Sequence, residues 1–86
     1  MARYELLYKA SVARDLKGLP KADIRRILSK AEKLRENPFP PDCTKLAGQE
    51  SYRIRQANYR ILYTVDALRI VVFVVKVAHR KDVYRR

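Results

Sequence analysis

Residues 52–63 read YRIRQANYRILY, a stretch with three arginines and no acid. If it folds as two strands joined at Ala57 and Asn58, alternation along a strand puts Tyr52 and Ile54 on one face and Arg53 and Arg55 on the other. In the second strand Tyr59, Ile61, Tyr63 and Val65 share a face, and Arg60 and Leu62 share the opposite one. Gln56 then pairs with Tyr59, Arg55 with Arg60, Ile54 with Ile61 and Arg53 with Leu62. Every apolar residue but Leu62 lands on one side. Arg55 opposite Arg60 is an unfavourable like-charge pair. Arg53 lies one pleat period away, about 6.6–6.8 Å, close to the phosphate repeat of a nucleic acid strand. A guanidinium donates two parallel hydrogen bonds to phosphate oxygens, so three of them on one patch suit an anion. The plainer alternative is a solvated basic face neutralised by distant acids such as Asp15 or Glu32. It explains one or two arginines better than three on one face. Ala57 suits a primed turn poorly, because such turns want positive φ, and a slightly longer loop stays open.

A second group of candidates lies in the ending VAHRKDVYRR. His79, the only histidine, and Arg80 are expected to emerge at a sheet edge beside the patch. There His79 is a candidate for acid–base chemistry. Tyr84 either stacks on a base, as aromatic rings do in RNA-binding sites, or anchors the tail on the sheet. Cys43 has no partner for an internal disulfide and no His or Cys at metal-ligand spacing, so it reads as a spectator thiol in a reducing compartment. No metal and no cofactor is expected.

Charge sets the class of partner. The 86 residues carry 20 Lys and Arg against 9 Asp and Glu, a formal net charge of +11. Clustered charge of that size favours nucleic acid, acidic protein or an anionic membrane. A chain of this length is expected to form one domain over residues 1–86. Because it buries only about 60–65% of its unfolded surface, a site on it must be a surface groove completed by a partner. The start MARYELLYKA has no apolar core of a secretion signal, and the apolar run over residues 70–75 is far shorter than the roughly 20 residues a bilayer span needs. A cytoplasmic protein with no membrane partner is the expectation.

The elements that must position these residues follow from periodicity. Residues 3–8 predict a strand. Ser11 is a candidate N-cap for a first helix ended by Gly18. Pro20 opens a second helix, in which Ile24, Ile27, Leu28, Ala31 and Leu34 form one apolar stripe. Lys21, Arg25, Arg26, Lys30 and Lys33 line its other face, which is either solvated or a further nucleic-acid contact. ENPFPPDC stops that helix, because residues before proline are pushed out of helical geometry. Residues 51–56, 59–65 and 69–78 predict an antiparallel meander whose last strand is central and covered on both faces. The fold expected is α+β: an N-terminal strand and an antiparallel two-helix hairpin packed on an antiparallel β-sheet meander.

The strings KLAGQESYRIRQANYRILYTVD and VVFVVKVAHRKDVYRR, in that order, resemble the RelE/ParE superfamily, the toxin halves of bacterial and archaeal type II toxin–antitoxin pairs. The helix pair, the ENPFPP break and KLAG extend the likeness over nearly the whole chain, and it lies closest to the RelE branch. The resemblance implies a RelE-like fold and a metal-independent endoribonuclease, an mRNA interferase that cuts mRNA in the ribosomal A site and so inhibits translation. In that chemistry the RNA 2′-hydroxyl attacks the adjacent phosphate, leaving a 2′,3′-cyclic phosphate and a 5′-hydroxyl. Carried over by position, Arg53, Arg55 and Arg60 would hold the scissile phosphate. Arg80 would protonate or steady the leaving oxygen, and Tyr84 would stack on the base. Relatives with lysines in the YRIR strand use one as a proposed general base. Arginine stays protonated, so Arg55 is the weaker candidate for that role here, and either His79 takes it or the chemistry relies on positioning and charge. The implied partners are a RelB-like antitoxin, the ribosome with mRNA, and promoter DNA reached through the toxin–antitoxin complex. Two other readings are a ParE-like inhibitor of DNA gyrase and a nucleic-acid-binding module without catalysis.

Overall fold

A computed structural model describes residues 3–46 and 50–79. Its elements are β1 (Glu5–Tyr8), α1 (Ala10–Leu16), α2 (Lys21–Glu32), a turn of 3₁₀ helix (Lys33–Arg35), β2 (Thr44–Lys45), β3 (Ser51–Gln56), β4 (Tyr59–Asp66) and β5 (Val71–His79). The five strands form one sheet in the order β1-β5-β4-β3-β2. The meander is present: β3 pairs with β4, and β4 with β5, antiparallel. The N-terminal strand joins this sheet beside β5, with which it pairs in parallel, Leu6 opposite Val72. The helices carry the chain away from β1 to the far edge of the sheet, and the meander then returns strand by strand until β5 meets β1.

The apolar stripe of α2 behaves as its spacing predicts, with Ile27, Ala31 and Leu34 fully buried. They pack with Leu6, Val12, Ile54, Ile61, Tyr63, Val72, Val74 and Val77 in one core between the helices and one face of the sheet. Full burial of a side chain such as Ile27 contributes about 1.5–3 kcal/mol. Two helix starts differ from expectation. Lys9, not Ser11, is the N-cap of α1, and no side chain caps it. Pro20 is itself the N-cap of α2. Gly18, between the helices, has φ +88°, a conformation that glycine adopts without a Cβ clash.

The proline-rich break closes one end of the core. Tyr63 is fully buried, and its hydroxyl donates to the Pro38 carbonyl at 2.7 Å. Burial, together with the Cys43 thiol nearby, pushes the Tyr63 hydroxyl far above its ordinary pKa. Tyr52 stacks on Tyr63 with centroids 5.8 Å apart, and Phe39 meets Tyr52 edge-on at 5.1 Å.

Both helices lie on one face of the sheet. On the other face Leu7 and Phe73, neighbours in the β1–β5 register, are 43% and 38% exposed. The expected cover on both faces of β5 is therefore corrected: among the described residues, this second face is open. Farther along the same face Arg60 and its ladder partner Ala78 are buried.

Candidate nucleic-acid interface

The hairpin register is the one the alternation predicts. Arg53 pairs with Leu62, Ile54 with Ile61, Arg55 with Arg60 and Gln56 with Tyr59. A two-residue turn closes it. Ala57 takes positive φ, 54°, the sign that the first central position of a primed turn requires, so the chain accepts strain at an alanine rather than a longer loop. Ile54 and Ile61 are buried beneath the helices. Arg53, Arg55 and Arg60 consequently share the opposite face of the sheet.

Their environments differ. Arg55 is exposed, Arg53 half-buried, and Arg60 buried at 7% exposure. Among the described residues neither Arg53 nor Arg55 has a carboxylate partner; the ion pairs found are Asp23–Arg26, Asp42–Lys30, Glu32–Arg35 and Asp66–Arg69. The two acids considered as neutralisers are engaged elsewhere. Glu32 accepts from Arg35 at 2.8 Å, and Asp15 accepts from the Val77 backbone N–H at 3.0 Å.

A fourth cation joins the face through an irregularity in β5. The β4–β5 register slips between Leu62 and Tyr63, so that Leu62 faces Lys76 while Tyr63 faces Val74. Val75 is the extra residue of a bulge. Val72 and Val74 point into the core, and simple alternation would send Lys76 in after them. The bulge reverses the phase: Val77 is buried instead, and exposed Lys76 comes to the open face beside Leu62. Bulges of this kind re-aim side chains next to functional sites. Sequence reasoning missed Lys76, and its signal was the single lysine inside the apolar run VVFVVKVA. Arg53, Arg55, Arg60 and Lys76 thus surround Leu62 within two ladder steps, with neighbouring strands about 4.8 Å apart.

The same bulge moves His79 away. His79 pairs with Tyr59 in the ladder and meets its ring edge-on, with centroids 5.3 Å apart. Tyr59 belongs to the helix-side face, its hydroxyl donating to Asp23 of α2 at 2.8 Å. That hydrogen bond raises the Tyr59 pKa. The structure brings the three arginines together and does not bring His79 to them. Arg80 and Tyr84 lie outside the described residues.

The basic face of α2 is a separate feature. Arg25, Arg26, Ser29, Lys30 and Lys33 line a cleft of about 360 Å³ with Gln56. Two of its four cations are already paired: Lys30 with Asp42 at 2.7 Å and Arg26 with Asp23 at 3.6 Å. The Lys30 hydrogen bond holds the Asp42 carboxyl below its usual pKa. On the sheet face Arg53 and Arg55 have no such partners among the described residues. No cluster of metal-ligating side chains occurs among the described residues, and no helix there is long and apolar enough to cross a membrane.

Two helices backing a five-stranded mixed sheet, with Arg53, Arg55 and Arg60 of one hairpin on the face away from the helices, define a small basic α+β protein. Comparison with known proteins makes this specific. Residues 6–84 match the family described as ParE toxin of type II toxin-antitoxin system, parDE. Toxin RelG of Mycobacterium tuberculosis is 32% identical, over 96% of this chain and 98% of RelG. The fold superposes on the archaeal RelE–RelB complex from Pyrococcus horikoshii with a TM-score of 0.82 and 31% identity, covering 98% of this chain and 99% of that one. It superposes on the isolated E. coli RelE toxin with a TM-score of 0.76 and 25% identity, covering 88% and 83%. The chain belongs to the RelE/ParE superfamily and is a RelE-like toxin of a type II toxin–antitoxin system.

Proposed function

We propose that this toxin is a ribosome-dependent mRNA endonuclease. The observation that carries the reading is the direct pairing of Arg55 with Arg60 on an open face shared with Arg53 and Lys76, with no carboxylate beside Arg53 or Arg55 among the described residues. Such a patch is stabilised when a phosphodiester sits on it. As the RNA 2′-oxygen attacks phosphorus, negative charge builds on the phosphoryl oxygens. Fixed guanidiniums stabilise that charge more than the ground state, which is the differential binding that accelerates a reaction. The P–O5′ bond breaks, the 2′-hydroxyl proton leaves to solvent, and the 5′-oxygen takes up a proton. The products are a 2′,3′-cyclic phosphate and a 5′-hydroxyl. Arginines are poor proton acceptors and His79 faces the helices, so catalysis here rests on positioning and charge. By family likeness Arg80 serves the leaving oxygen and Tyr84 stacks on the base.

The partners follow from the same reading. The Pyrococcus horikoshii relative was solved with RelB, and a RelB-like antitoxin covering the basic face would silence this toxin in the cytoplasm. The complex would reach promoter DNA through the antitoxin. Primer extension on mRNA translated in the presence of the protein tests the nuclease reading. Breaks within translated codons, lost in Arg60→Ala, support it; arrested growth with intact transcripts rejects it. The match to the ParE family over residues 6–84 keeps gyrase inhibition as the second reading, and DNA breaks with unaffected mRNA would identify it.

A further inference from the structure

The C-terminal end of β5 is held from behind by the helix layer. At its bulge-shifted stretch the Val77 N–H donates to Asp15 of α1 at 3.0 Å. Two residues on, the His79 ring rests against Tyr59 at 5.3 Å, and the Tyr59 hydroxyl is tied to Asp23 of α2 at 2.8 Å. Between these links lies a pocket of about 120 Å³ bordered by Asp15, Leu19, Tyr59 and His79. Close packing does not fill that space, so directional links carry more of the positional constraint there than they would over a dense core.

The phase of this strand end matters to the open face. With the bulge in place Lys76 and Ala78 flank Leu62 and Arg60; without it the same residues would turn toward the helices. We propose that Asp15, Asp23, Tyr59 and His79 are positioning residues, which lock the bulged phase of β5 from the helix side and thereby set the geometry of the phosphate-holding face. This rests on the nuclease reading for its kinetic consequence, and on the fold alone for its structural one. It assigns His79 a packing task rather than a proton-transfer one.

The test uses the full chain in four forms: wild type, Asp15→Ala, Asp15→Asn and Tyr59→Phe. Amide hydrogen exchange at Val77, Ala78 and His79 reads the lock directly. Cleavage of ribosome-bound mRNA reads its consequence. Asp15→Ala and Tyr59→Phe are expected to speed exchange at these amides and to lower kcat by about tenfold with KM little changed, since small misplacements of catalytic groups cost rate rather than binding. Asp15→Asn, which keeps an acceptor for the Val77 N–H, should restore both. Unchanged exchange in Asp15→Ala and Tyr59→Phe overturns the proposal, as does a kcat unmoved when exchange has risen. If the wild type cleaves nothing, the nuclease reading falls, while the exchange measurement still decides whether the lock exists.

Discussion

Replacing Arg55 by glutamine should stabilise the isolated toxin while weakening its hold on RNA. Arg55 and Arg60 are direct cross-strand partners, a geometry that places Cβ atoms about 4.5–5.5 Å apart. Two unit charges at about 5 Å repel by about 0.8 kcal/mol in a water-like dielectric and about 3 kcal/mol at an effective dielectric of 20. Arg55 is exposed and Arg60 is only 7% exposed, so solvent screens one end of the pair and the lower figure governs. Measured cross-strand charge effects of about 0.2–1 kcal/mol agree. Arg55→Gln should therefore gain about 0.5–1 kcal/mol at low salt, or about 3–6 °C in Tm for a chain of this size. The gain should shrink at high salt as the charges are screened. Thermal unfolding followed by circular dichroism at two salt concentrations reads the first half, and fluorescence anisotropy with a short RNA reads the second. Equal or lower stability of Arg55→Gln at low salt would refute the claim that the hairpin stores like-charge repulsion which a bound phosphate relieves.

Three further outcomes follow from single contacts. Lys76→Ala should weaken RNA binding and reduce the slope of log affinity against log salt by about 0.7, the contribution of one contact to a single strand; an unchanged slope in a salt titration would remove Lys76 from the site. Tyr63→Phe should cost about 1–3 kcal/mol in urea unfolding, because the buried Pro38 carbonyl loses its donor. The raised Tyr63 pKa carries a sign as well: above pH 10 the unfolded chain ionises this hydroxyl while the folded chain does not, so stability falls with rising pH there, and Tyr63→Phe should show less of that fall. Ala57→Gly should stabilise by up to about 1 kcal/mol, as relief of the left-handed strain at φ 54° outweighs the extra backbone entropy of glycine; a lower unfolding midpoint would contradict the turn geometry.

Much of the fold and half of the candidate site were legible in the residues. The period-two pattern of YRIR and YRILY forced one register, since slipping by one would have buried the arginines and exposed Ile54 and Ile61. The 3.6-residue stripe of Ile27, Ala31 and Leu34 marked the buried side of α2. What escaped was set by contacts remote in sequence. The β5 bulge reversed the inside and outside of everything after Val75, bringing Lys76 to the arginines and carrying His79 to the helices. The lysine inside VVFVVKVAH is its one local signal, and the Val77 N–H there is taken by Asp15, 62 positions away. The parallel pairing of β1 was hidden for the same reason, as it depends on where two helices return the chain. Ser11 lost the cap because the helix begins one residue ahead of it, at Ala10.

The central claim is that a phosphodiester occupies the open face of the arginine hairpin. NMR spectra of the arginine Nε–H groups during titration with a short RNA carrying a 2′-deoxy block at its cleavable linkage test it most directly. Perturbation concentrated at Arg53, Arg55 and Arg60 is the predicted result. Perturbation confined to Arg25 and Arg26 on α2, with the hairpin arginines unmoved, would contradict it.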